Sequence, residues 1–139
     1  MKVLVDSCVW SLLLRRKSRT GKSGDQQFAL ASLKEAIRDG RVVIIGSVRQ
    51  ETLSGIKTAA QSEKVRTALG AFPDETLTSP HYEEAARFYN LCRSRGVECG
   101  PIDILICAVA AHMHYDILTY DQGLKRCIEV LRSERLLHQ

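Results

Sequence analysis

No stretch of this sequence is long and apolar enough to cross a bilayer. The longest uninterrupted apolar run, residues 104–111, falls far short of the ~18 consecutive apolar residues that argue for a membrane span. Nor does the N-terminus read as a secretory signal: MKVLVDSCVW places an acid, Asp6, where such a signal has its apolar region, and no small-residue cleavage site follows. A cytosolic protein without membrane contact is the expectation. The five cysteines, Cys8, Cys92, Cys99, Cys107 and Cys127, form no C-x-x-C pair, which removes the commonest zinc and redox patterns. Their odd number and mostly apolar neighbours predict reduced core thiols. No internal repeat, low-complexity tract or interdomain linker interrupts the 139 residues. One domain over residues 1–139, with one core and one site, is expected.

What is present alternates between strand and helix patterns. Residues 2–5 are β-branched-rich and end at Asp6, and Cys8, Val9, Leu12 and Leu13 then recur at helical spacing. Residues 15–24, RRKSRTGKSG, carry Arg15, Arg16, Lys17, Arg19 and Lys22 and no acid, a polar connection. Asp25 is placed to cap a helix with Phe28, Leu30, Leu33, Ala36 and Ile37 on its apolar face and Gly40 as its stop. Residues 41–45 form the clearest buried strand. Ser47 and Gln50 have capping-box spacing, so the next helix is expected from about Val48.

A helix over residues 59–69 and a short strand over 76–78 are expected next. Ser79-Pro80 supplies a cap with proline at the first helical position, and Gly96 ends that helix. Gly100-Pro101 opens a helix apolar on every side, which must be largely enclosed. A strand over residues 115–119, a helix over 122–130 and a last strand with Leu136 and Leu137 complete the pattern. Such alternation indicates an α/β layered domain with a mainly parallel sheet.

Four acids stand out from this pattern. Singly, each has an ordinary role: Asp6 and Asp121 as helix N-caps, Glu51 and Asp103 as first-turn acids favoured by the helix dipole. Together they are harder to dismiss, because three of them fall just past a strand and at the start of a helix. In an open parallel sheet that junction is the carboxyl edge, where ligands bind. Asp103 is also the only charged residue between Pro101 and Ala111, and an unpaired buried carboxylate is costly. One divalent ion shared with the other acids would offset it. Oxygen ligands without Cys or His in the pattern favour Mg²⁺ or Mn²⁺ over zinc, and the chemistry such an ion supports is water attack on phosphorus.

The segments MKVLVDSCVW around Asp6, SVRQETLSG around Glu51, GPIDILICAVA around Asp103 and ILTYDQGL around Asp121 resemble the PIN-domain family. Within it the VapC-type toxins of bacterial toxin–antitoxin pairs are the most similar. The resemblance implies a PIN-like three-layer α/β/α sandwich with a mainly parallel central sheet, Mg²⁺- or Mn²⁺-dependent endoribonuclease activity, inhibition by a cognate VapB-type antitoxin, and a homodimer. It implies that Asp6, Glu51, Asp103 and Asp121 are catalytic, with Asp6, Asp103 and Asp121 as metal ligands, while Ser7 and Thr119 support the acids. Family members often follow the last acid with a second; here Gln122 stands in that place.

Other motifs fail. Gly21-Lys22-Ser23 looks like the end of a P-loop, but Arg16 replaces the required first glycine and no strand directly precedes it. The basic run is better suited to an RNA backbone or an acidic antitoxin segment, which the net charge of +4 permits without establishing. His112 and His114 face different directions on one helix. Trp10 is expected in the core rather than stacked on a base. A dehalogenase-like phosphatase would need an acid where Cys8 stands, and a receiver domain would need paired acids at the first strand end. A catalytically silent PIN-like module that binds RNA or protein is the alternative to the enzyme, and a DNA-directed nuclease on the same fold is a third possibility.

Overall fold

The computed structural model describes residues 1–15 and 21–138. Three short strands, β1 (Val3–Val5), β2 (Val42–Val43) and β3 (Asp116–Leu118), form one sheet in the order β2-β1-β3. Both pairings are parallel, with Leu4 opposite Val43 and Ile117. β1 is central and its three residues are buried, which is why it reads as a continuous Val-Leu-Val run rather than an alternating one. The amide of Asp6 continues the ladder by donating to the Leu118 carbonyl at 2.9 Å.

Parallel strands need crossovers, and helices supply them. α1 (Ser7–Leu14) and α2 (Gly24–Arg38) connect β1 to β2. α3 (Gly46–Leu53), α4 (Ala59–Leu69), α5 (Ser79–Ser94) and α6 (Pro101–Met113) connect β2 to β3, and α7 (Gln122–Ser133) follows. α1 packs against α2 and α3 on one side of the sheet, and α5, α6 and α7 pack together on the other. The result is the expected α/β/α sandwich. α6 is the enclosed helix foreseen from its sequence, with residues 104–110 buried. α7 instead buries one stripe, Leu124, Cys127, Ile128 and Leu131, at the three- and four-residue spacing of an amphipathic helix. Trp10 is 1% exposed and its ring lies 5.1 Å from that of Phe72, a core role as expected.

Several local expectations are corrected. Ser23, not Asp25, caps α2: its hydroxyl accepts from the Gln26 amide at 3.2 Å while Gln26 Oε1 accepts from the Ser23 amide at 3.1 Å. That reciprocal pair satisfies two donors, and an Asp within the first turn cannot. The Ser47–Gln50 box does not form. α3 starts at Gly46 with Ile45 as its N-cap, and the Ser47 hydroxyl is buried without a hydrogen-bond partner among the described residues. α5 is capped one residue earlier than expected, at Thr78, whose amide donates to His81 Nδ1 at 3.0 Å.

Neither extra strand exists among the described residues. Residues 76–78 are irregular, because the chain meets the sheet earlier through a bridge between Ile44 and Asp74. Leu136 and Leu137 follow α7 in a turn that Arg135 enters with φ +61°. The cysteines differ as well: Cys99 and Cys127 form a disulfide, leaving Cys8, Cys92 and Cys107 free. A separation of 28 residues carries no spacing signature, so only the fold brings the pair together.

Candidate active site

β1 and β3 deliver their acids from adjacent strands. Asp6 follows β1 directly, is 3% exposed, and caps α1 by accepting from the Ser7 amide at 2.8 Å. Thr119 follows β3, and its hydroxyl donates to Asp6 Oδ2 at 2.8 Å while accepting from the Asp121 amide at 3.0 Å. One hydroxyl therefore ties the loop bearing Asp121 to the carboxylate of Asp6. Asp121 caps α7, its Oδ2 accepting from the Leu124 amide at 2.8 Å. Both caps are the ordinary roles considered from sequence, and both aspartates perform them at the carboxyl edge of the sheet.

Glu51 arrives differently. It was expected in the first turn of its helix, but α3 begins at Gly46, so Glu51 sits near the helix C-terminus where the dipole gives a carboxylate no help. Its Oε1 accepts a short hydrogen bond from the Ser7 hydroxyl, a contact across 44 residues that joins α3 to α1 beside Asp6. Asp103 occupies the first turn of α6, as expected. Its carboxyl is pushed up to about 6 by burial first, and then by the charges of Asp6, Asp121 and Glu51. All four acids thus stand close enough for three to act on the fourth.

None of the four forms an ion pair among the described residues. Nor are three His, Cys, Asp or Glu side chains among those residues close enough together to grip an ion as they stand. The donor set is nonetheless carboxylate oxygen throughout, with the half-buried Asp103 raised first by burial and then by its like-charged neighbours. Those oxygen donors suit a hard divalent cation, which Asp103 would meet in its ionised form.

Two contributors went unnoticed in the sequence. The Cys8 thiol donates to Asp6 Oδ2 at 3.3 Å, and burial together with the Asp6 charge pushes it up to about 11, so it stays a protonated donor at neutral pH. Gly123 is the other. A Cβ there would come within 3.1 Å of Asp121 Oδ2, so its bareness leaves room for that carboxylate in its capping position. A Cys two residues after an Asp and a Gly two residues after another were the only signals, and both are too common to single out.

Of the basic run, Arg15 and Lys22 fall within the described residues. Arg15 Nη1 donates to the carbonyls of Thr52 and Ser54, so part of its guanidinium serves the end of α3. The carbonyl of Lys22 accepts from Gln27 Nε2 at 3.0 Å. Arg16, Lys17 and Arg19 lie outside the described residues.

Fold and site together define an α/β/α protein with an acidic carboxyl edge. The chain belongs to the PIN domain family, whose model matches residues 3–129. Among solved structures, the crystal structure of FitAcB from Neisseria gonorrhoeae matches with a TM-score of 0.70 and 15% identity, over 91% of this chain and 93% of that one. At that identity the likeness is one of fold. No curated protein matches the chain.

Proposed function

We propose that this chain is a divalent-metal-dependent endoribonuclease of VapC type, folded as a single domain over residues 1–139 and acting in the cytoplasm. It would serve as the toxin of a type II toxin–antitoxin pair, held in check by a VapB-type antitoxin and paired with a second copy through its helices. The observation that carries the nuclease reading is the Asp103 carboxyl, raised to about 6 with the other three acids among the causes. Membership of the PIN domain family supports the same reading.

Asp6, Asp103 and Asp121 would hold Mg²⁺ or Mn²⁺, which when bound acidifies and positions a water and neutralises charge on a phosphate oxygen. Thr119 and the Cys8 thiol orient Asp6. Ser7 fixes Glu51, an exposed carboxylate, beside Asp6. Burial of Asp6 and the enclosed α6 keep the local dielectric low, which strengthens both the repulsion without a cation and the grip with one.

Purified protein should degrade total RNA in Mn²⁺ or Mg²⁺. EDTA, Asp6→Asn and Asp103→Asn should each abolish the cleavage. Cleavage that survives chelation and both substitutions would reject the reading. The silent RNA- or protein-binding module is the second reading, favoured by the lack of a ready-made cage among the described residues. RNA binding without cleavage in any divalent ion would establish it.

A further inference from the structure

A recess of mixed polar and apolar lining lies at the C-terminal end of α1. Arg15, Gly55, Ile56, Lys57, Thr58 and Gln61 line a cavity of about 320 Å³ containing no carboxylate. Arg15 is held by Nη1, which donates to the carbonyls of Thr52 and Ser54 at 3.3 Å each. Those bonds account for one nitrogen of the guanidinium. Its Nη2 lies 3.9 Å from where a Cβ on Gly55 would stand, and Gly55 has φ +83°. A side chain at that position would be strained by its backbone, though its Cβ would make only ordinary contact with Nη2. Gln61 Nε2 donates to the Leu14 carbonyl at 3.2 Å and closes one wall. Thr58 Oγ1 accepts from the Gln61 amide at 3.2 Å, which leaves its hydroxyl hydrogen to donate elsewhere. Neither Arg15 nor Lys57 forms an ion pair among the described residues.

This combination offers a pre-oriented guanidinium edge, an ammonium and a hydroxyl, the donors that take a phosphate. Along the backbone, α1 separates Arg15 from Asp6. Ser7 at its start is bonded to Glu51, and its eight residues rise about 12 Å to Arg15. A single strand held at the acids covers that reach within a few nucleotides.

We propose that the recess is a backbone subsite for the RNA substrate, taking a phosphodiester a few nucleotides from the bond held at the acids. This rests on the nuclease reading above. The test measures anisotropy of a short fluorescein-labelled single-stranded RNA across a salt series, in an Asp103→Asn background that leaves the probe uncut. Lys57 is exposed, so its replacement spares the core. Lys57→Gln should weaken binding several-fold and make the slope of log K against log salt shallower by about 0.7, one phosphate contact on a single strand. Lys57→Arg should keep both. An unchanged affinity and slope in Lys57→Gln overturns the subsite. So does a loss confined to binding of a poly-glutamate peptide, which would assign the recess to a protein partner. Absence of RNA cleavage by the unsubstituted protein in Mn²⁺ strikes the nuclease reading instead, so the two failures are told apart.

Discussion

At Asp103 burial and three like charges act in one direction, and a pH dependence follows from their sum. Its folded-state carboxyl titrates near 6 against an ordinary 3.8, so between those values the native state binds more protons than the unfolded chain. Stability contributed by the neutral form is therefore complete below about pH 4 and lost as pH rises through 6. For a half-buried group, solvent screening trims this to about 1 kcal/mol. Metal-free Asp103→Asn should accordingly melt a few degrees above the parent at pH 7.5, the gain closing toward pH 4 in a thermal scan. Thr119→Val should leave the fold intact yet lower activity by about 10-fold or more, since outer partners of metal-binding acids commonly carry that weight. Thr119→Ser should restore most of it. Asp6, Asp103 and Asp121 were legible because each is an acid at a strand–helix junction or alone in an apolar run. The link between Asp6 and Asp121 through one hydroxyl was not, because Thr119 Oγ1 meets Asp6 only after β1 and β3 pair across 113 residues.

Among the elements, α6 and β1 were readable because burial on all sides leaves an unbroken apolar pattern. Caps were less readable. Ser47 has the right residue type and spacing, yet the chain turns into α3 one residue earlier, following the exit of β2 rather than the local side chain. Glu51 stands beside Asp6 through a cross-chain bond to Ser7, not through the first-turn position its spacing suggested. The Cys99–Cys127 bond joins the segment just before α6 to the middle of α7, and those helices begin near Asp103 and Asp121. Closing a loop of 28 residues is worth about 3–4 kcal/mol in the chain-entropy account. Reduction under mild denaturant should lower stability by that order, and titration with a thiol reagent in strong denaturant should count three free thiols before reduction and five after.

On the proposed nuclease reading, a chain of net charge +4 with an acidic carboxyl edge would draw its RNA by basic surfaces rather than by the acids. Cleavage should therefore fall steeply with added salt even at saturating Mn²⁺, a dependence followed by gel densitometry over a salt series. No helix among the described residues is long and apolar enough to cross a membrane. The expected homodimer is checked by light scattering on the eluting protein, which should return twice the 15.5 kDa chain mass.

Calorimetric titration of the metal-free protein with Mn²⁺ at pH 6, repeated in buffers of different ionisation enthalpy, tests the cation claim most directly. The acids should take up at least one ion and release protons, because burial and the neighbouring charges raise the Asp103 carboxyl toward this pH and it must ionise to bind. Asp103→Asn should lose both the uptake and the proton release. No heat of binding in any buffer, or uptake equally strong in Asp103→Asn, would contradict the account.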